Sequence, residues 1–190
     1  MLWIVGLIVV GSIHSSQVSA QGTRWEHYMA EGAKAYQDGQ ETNAEMFYLA
    51  ALEDIHNAGP EDPRLAATLN TLAVLYHTQK KYAQAEPLYQ RVLKLLEETI
   101  GPDHPTLATA LNNLAVVYEA QDKYAEAAPL YQRALALIER TLGPDHPNLA
   151  ATLDNYADLL RKLQREAEAE SAEARAKAIW AKQKGTPGGK

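Results

Sequence analysis

Apolar residues recur along most of the chain at steps of three and four, the spacing of one face of an α-helix. Leu65, Leu69, Leu72, Ala73 and Tyr76 predict a helix from about Pro63 to Gln79. Ala85, Leu88, Tyr89, Val92, Leu95 and Leu96 predict a second from about Tyr82 to Thr99. The stretch from Arg165 to Trp180 is rich in Ala, Glu, Lys and Arg, all strong helix formers. It predicts a solvent-facing last helix held down by Ile179 and Trp180. Residues 1–13, MLWIVGLIVVGSI, break the pattern, being apolar almost without interruption.

The helical pattern itself repeats. GPEDP at Gly59, GPDHP at Gly101 and GPDHP at Gly143 open three units of 42 residues. A degenerate copy precedes them, with Gly32, Ala44, Tyr48 and Ala51 in the places of Ala73, Ala85, Tyr89 and Val92. Each unit reads as two antiparallel helices. Gly101 and Gly143 suit the left-handed position that closes a helix, and Pro105 and Pro147 suit the first turn of the next. Asp103, His104, Asp145 and His146 stand where caps are needed. Small residues at Ala73, Ala85, Ala115, Ala127, Ala157 and Ala169 mark close helix contacts. No unit can bury its apolar face alone, so stacked units must share a core and the end units must differ. Glu166 and Glu173 in the places of Tyr124 and Tyr131 fit a C-terminal cap. The expected fold is all-α, an α-solenoid of antiparallel helix pairs with three clear repeats and a degenerate N-terminal one.

Ala115, Tyr118, Ala127, Tyr131 and Ala134 together resemble the tetratricopeptide repeat. The 42-residue period, the GPDHP openings, LNNLA at Leu111–Ala115 and YAEAAPLYQRAL at Tyr124–Leu135 resemble its kinesin light chain subclass. The resemblance covers residues 59–163 closely and 24–58 loosely. It implies a superhelix with a degenerate first repeat at 21–58, repeats at 59–100 and 101–142 and a capping repeat at 143–184; the terminal residues 185–190 read by themselves as a disordered tail. The heptad coiled coil by which the kinesin light chain joins its heavy chain has no counterpart in this sequence, so only the repeat type carries over.

The resemblance also implies a groove lined by the first helix of each pair, suited to an extended peptide or protein segment. Its positions are Asn70, Val74 and His77, then Asn112, Asn113, Val116 and Glu119, then Asp154, Asn155, Asp158 and Arg161. A side-chain amide donates and accepts together, as a peptide bond does, so the asparagines suit a peptide backbone. Thr71 and Asp154 interrupt that series. The lysine and arginine set of a carboxylate clamp is missing, and Glu119, Asp154 and Asp158 favour a neutral or basic ligand. The alternative is a structural module that forms homo-oligomers through its end helices and takes no peptide.

The apolar start followed by Val18, Ser19 and Ala20 reads as a secretory signal peptide at 1–20, cleaved to leave Gln21 first, with a periplasmic or secreted product. It lacks the usual basic flank. The alternative is a membrane anchor, although the run to Ile13 is shorter than the roughly twenty apolar residues a spanning helix needs.

Composition then removes several chemistries. There is no cysteine, hence no disulfide, thiolate metal site or thiol nucleophile. A net charge of −6 argues against nonspecific nucleic-acid binding. The charge is uneven: residues 161–190 hold eight basic and four acidic residues, which reads as a solvated helix and tail. His104 and His146 sit in equivalent turns of different repeats, too far apart to share an ion. The acidic stretch Glu166–Glu173 lacks the loop of a hard-cation site. No phosphate loop or hydrolase motif appears, and Ser171 is the only serine after Ala20. The expectation is a protein-binding module that is not an enzyme, with no cofactor, metal or small-molecule substrate.

Overall fold

The computed structural model describes residues 20–56, 59 and 61–185. The expected signal peptide, but for Ala20, lies outside the described residues, as do residues 186–190 of the expected tail. Eight helices and no strand occur among the described residues. They are α1 (Ala20–Gln37), α2 (Glu41–Asp54), α3 (Pro63–Thr78), α4 (Tyr82–Ile100), α5 (Thr106–Ala120), α6 (Tyr124–Leu142), α7 (Pro147–Lys162) and α8 (Glu166–Gly185). Consecutive helices pair as hairpins, giving the α-solenoid class. Two compact units divide the chain, with the boundary inside α4 between Leu95 and Leu96.

The helix ends are set by local chemistry. Asp62 caps α3, its carboxylate accepting the Arg64 amide at 2.9 Å. His146 caps α7 in the same way, with Nδ1 accepting the Asn148 amide at 3.1 Å. His104 Nδ1 accepts the Thr106 amide at 3.2 Å at the start of α5. Both histidines therefore satisfy helix N-termini that would otherwise lack partners. Gly101 and Gly143 take φ of 85° and 94°, the left-handed conformation that glycine reaches without strain.

The turn inside each repeat has its own signature, which hydrophobic spacing does not reveal. Gly39, Lys80, Asp122 and Gln164 all have positive φ, between 57° and 73°. The amide of the next residue reaches back over the helix end in each case. Gln40 N donates to Ala35 O, Lys81 N to Tyr76 O, Lys123 N to Tyr118 O and Arg165 N to Leu160 O, all at 2.8–2.9 Å. This is the Schellman closure, which satisfies a terminal carbonyl. In three repeats it holds despite a side chain at the left-handed position, where an L-residue costs about 1–2 kcal/mol.

In the N-terminal unit, Ala44, Ala51, Ala73 and Ala85 are completely buried, and Tyr48 and Tyr89 are buried as well. Trp25 Nε1 donates to Thr68 Oγ1 at 2.8 Å, and Thr68 Oγ1 lies 3.9 Å from Met29 Sδ, so α1 runs beside α3. In the C-terminal unit, Ala115, Ala127, Ala157 and Ala169 are completely buried around Tyr131 and Tyr156. Ile179 is buried, and Trp180 Nε1 donates to Asp154 Oδ2 at 3.0 Å, fixing α8 to α7. Ion pairs repeat at 42-residue intervals along the second helices. Arg133 pairs with Glu97 and Arg175 with Glu139, each at 2.6 Å. Arg140 pairs with Asp103 and Lys182 with Asp145 in the same periodic way.

Candidate peptide-binding surface

The asparagine series is a physical contact in the C-terminal unit. Asn155 Nδ2 on α7 donates to Asn112 Oδ1 on α5 at 3.1 Å. That bond leaves Asn112 Nδ2 and Asn155 Oδ1 unspent, a donor and an acceptor on neighbouring first helices. Asn112 is 8% exposed and Asn155 half-buried. Asn113, one residue on, is 3% exposed, and its Nδ2 has no hydrogen-bond partner. Val116 is buried in the cluster with Ala115, Tyr131, Tyr156 and Leu160.

The charged positions of this unit are engaged internally. Glu119 accepts the Tyr131 hydroxyl at 2.9 Å and pairs with Lys162 at 3.0 Å. Burial works to lower the pKa of the Lys162 ammonium, but the hydrogen bond and charge of Glu119 override it and raise that pKa. Arg161 pairs with Glu173 at 2.9 Å and meets Asp158 and Glu166 at 3.4 Å. Asp154 holds the Trp180 indole. Asp158 remains exposed to solvent. The sequence alone presents Glu119, Asp154 and Asp158 as an acidic surface; packed helices supply a counter-charge or donor to the first two, and Arg161 one turn on in α7 meets the third.

The N-terminal unit is chemically different. Asn70, Val74 and His77 lie on α3 and are half-buried. The His77 ring is 5.5 Å from that of Tyr82, its Nδ1 is buried without a partner, and burial lowers its pKa. Below its ordinary value near 6.5, that pKa keeps the ring neutral at pH 7.

Three further residues belong to this face. The first repeat runs 41 residues ahead of the second: Gly32, Tyr48 and Ala51 occupy the buried sites of Ala73, Tyr89 and Val92. On that register Met29, Ala33 and Tyr36 of α1 take the places of Asn70, Val74 and His77. Tyr36 is 41% exposed. The register was readable in the sequence, but α1 has none of the GPDHP and LNNLA signals that mark the others.

The same register separates α1 from the first helices that follow it. Leu65, Leu69 and Leu72 in α3, and Leu107, Leu111 and Leu114 in α5, correspond to Arg24, Tyr28 and Glu31 in α1. Arg24 is tied to Asp54 of α2 at 2.7 Å. The apolar row is thus replaced by a polar one.

Among the described residues no three His, Asp or Glu side chains gather as a metal site, and no helix is long and apolar enough to cross a membrane.

The tetratricopeptide repeat model matches residues 32–98, 79–139 and 106–182. The chain belongs to the tetratricopeptide repeat family. Its members are generally protein-interaction modules, and folds of this kind are typically non-catalytic. No curated protein matches the chain. Among solved structures, BtubC (BKLC) from P. vanneervenii is similar with a TM-score of 0.81 and 24% identity, over 92% of this chain and 70% of that one. A putative kinesin light chain with nearly identical TPR-like repeats from Podosopora anserina gives 0.77 and 21%, over 90% and 81%. Aspartyl phosphate phosphatase F from Bacillus subtilis gives 0.74 and 19%, over 89% and 43%. At these identities the likeness establishes the fold, and the repeats are of the kinesin light chain type.

Proposed function

We propose that this tetratricopeptide repeat protein is a non-enzymatic adaptor or assembly factor that binds an extended segment of a partner protein along its first helices, after export and cleavage behind Ala20. The observation that carries the reading is the amide pair of Asn155 and Asn112. It sets one free donor and one free acceptor on adjacent helices, the complement of a peptide backbone.

The test is a quantitative binding comparison on residues 21–190 as bait against cell-envelope extract. The second bait carries Asn70→Ala, Asn112→Ala and Asn113→Ala and must show an unchanged helical melt. A partner held by the first bait and lost by the second supports the reading. Equal capture by both moves binding to another face, and recovery of the bait alone favours self-association. Export is tested separately, by fractionation and by N-terminal sequencing of the mature protein, which should begin at Gln21.

A further inference from the structure

Cleavage behind Ala20, as proposed above, leaves Gln21 first and Gly22 second. A glutamine at the head of a chain joins a nucleophile to its own electrophile, the α-amine to the γ-carboxamide. Their reaction is internal, so it needs no encounter between molecules.

We infer, resting on the export reading, that the mature chain begins with pyroglutamate formed from Gln21, its closure promoted by the start of α1. The amine nitrogen bonds to the carboxamide carbon and closes a five-membered lactam. The carbon–nitrogen bond of the carboxamide breaks, one amine proton passes to the leaving nitrogen, and ammonia departs. Nothing is oxidised or reduced, and no co-reactant is consumed.

The position in the fold favours this step. α1 starts at Ala20, so cleavage leaves the amine in the first turn of a helix. Nitrogens of a first turn have no partner within the helix, so the ladder does not hold the amine. The helix dipole is positive at that end and lowers the amine's pKa from its usual value of about 8. A larger share of the amine is then unprotonated and nucleophilic. The first turn contains no acidic residue to retain an ammonium. Asp54 of α2 is bound by Arg24 at 2.7 Å, with its Oδ2 left unpartnered. Gly22 sets no side chain beside the closing ring. The lactam removes a positive charge from the positive end of α1, so the product suits the helix better than the amine does. It also leaves no terminal amine for an aminopeptidase.

The test is intact-mass and tandem mass spectrometry of the full chain after export from its expressing cells. The expected mass is that of residues 21–190 less one ammonia, with the loss assigned to the first residue. Edman degradation should stall on this protein and read through the Gln21→Ala variant, whose mass should be undiminished. A second measurement releases residues 21–190 from a fusion, exposing the Gln21 amine, and follows ammonia loss at pH 7. Closure should run at least about twofold faster in the folded chain than in urea, the size a helix-dipole effect gives. The mass of residues 21–190 with a free amine overturns the inference and leaves export intact. Equal rates overturn the role given to α1. Slower closure in the folded chain also overturns it, and would mark the free oxygen of Asp54 as the partner of a retained ammonium. An uncleaved chain, or one that begins elsewhere, overturns the export reading and the inference with it.

Discussion

The Tyr131 hydroxyl donates to the Glu119 carboxylate across 2.9 Å, joining α6 to α5 where both side chains are buried. Lys162 closes the arrangement from α7. The N-terminal unit has a counterpart: Tyr76 donates to Glu45 at 3.0 Å, and Lys81 pairs with the same carboxylate at 3.0 Å. The two sets occupy different repeat positions, so they are separate solutions to one need. In each, one glutamate takes both a hydroxyl donor and a lysine cation.

Loss of the donor should be costly. Tyr131→Phe leaves Glu119 with Lys162 alone and should destabilise the chain by about 1–3 kcal/mol, the range for an unsatisfied buried acceptor. Urea unfolding at pH 7 measures it. A change below about 0.5 kcal/mol would mean that water replaces the hydroxyl at Glu119.

These tyrosines also set an alkaline limit. Burial first, and then the Glu45 carboxylate, push the Tyr76 hydroxyl up to about 12. Burial and Glu119 drive Tyr131 further in the same direction. A tyrosine in the unfolded chain ionises near 10. The folded pKa is raised, so the contribution is complete below pH 10 and is lost as pH rises through the folded value. The urea midpoint should fall between about pH 10 and 12, and Tyr76→Phe should flatten part of that fall. Parallel curves for the variant and the parent would contradict the assignment.

Gly32 is required for packing, although the repeats that follow carry alanine at its position. A Cβ placed there would lie 2.5 Å from Tyr48 Cε1 and 2.7 Å from its Cδ1. Helix propensity alone predicts that Gly32→Ala stabilises α1 by about 1 kcal/mol. Overpacking against a buried ring predicts a loss of about 1–3 kcal/mol. The contact is far inside van der Waals range and the ring is enclosed, so destabilisation should win. A thermal melt gives the sign directly, and a raised Tm would show that Tyr48 can turn aside.

How much of this was legible in the sequence depends on the residue. The period, the closing glycines and the buried alanines follow from spacing, because helix packing admits only small side chains at those sites. The turn residues Lys80 and Gln164 were not legible, because nothing in a Lys or Gln announces positive φ, whereas Asp122 is of a type that tolerates it. The asparagine contact was half legible: the LNNLA motif marks Asn112, but its bond to Asn155 depends on how far α7 is offset from α5. The charge of the surface was the least legible. Glu119 and Asp154 read as free acids until Lys162, forty-three residues on, and Trp180, twenty-six residues on, are folded against them.

The periodic ion pairs contribute less than their regularity suggests. Arg175 and Glu139 are both substantially exposed, as are Arg133 and Glu97. Exposed pairs are screened by salt and lose side-chain entropy, and are worth about 0–1 kcal/mol. A double-mutant cycle on Arg175→Ala and Glu139→Ala should give a coupling within that range, shrinking further in 1 M NaCl. A salt-resistant coupling well above it would mark the pair as a structural clamp between α8 and α6.

His77 should govern part of the response to acid. Burial holds its folded pKa below the unfolded value near 6.5. The folded state therefore binds fewer protons than the unfolded state wherever pH lies between the two values. With that sign stability rises with pH, so the contribution is complete above about pH 6.5 and declines as pH falls toward the folded value. His77→Gln keeps a polar side chain at the site and removes the titration. The stability of the parent relative to this variant should be constant from pH 7 to 8 and should drop as the buffer is taken below 6.5. Exposed histidines elsewhere affect both proteins equally and cancel in the difference. A difference that stays flat down to pH 5 would mean that the ring accepts its proton in the folded chain as readily as in water, and that the face it shares with Val74 is wetter than its burial implies.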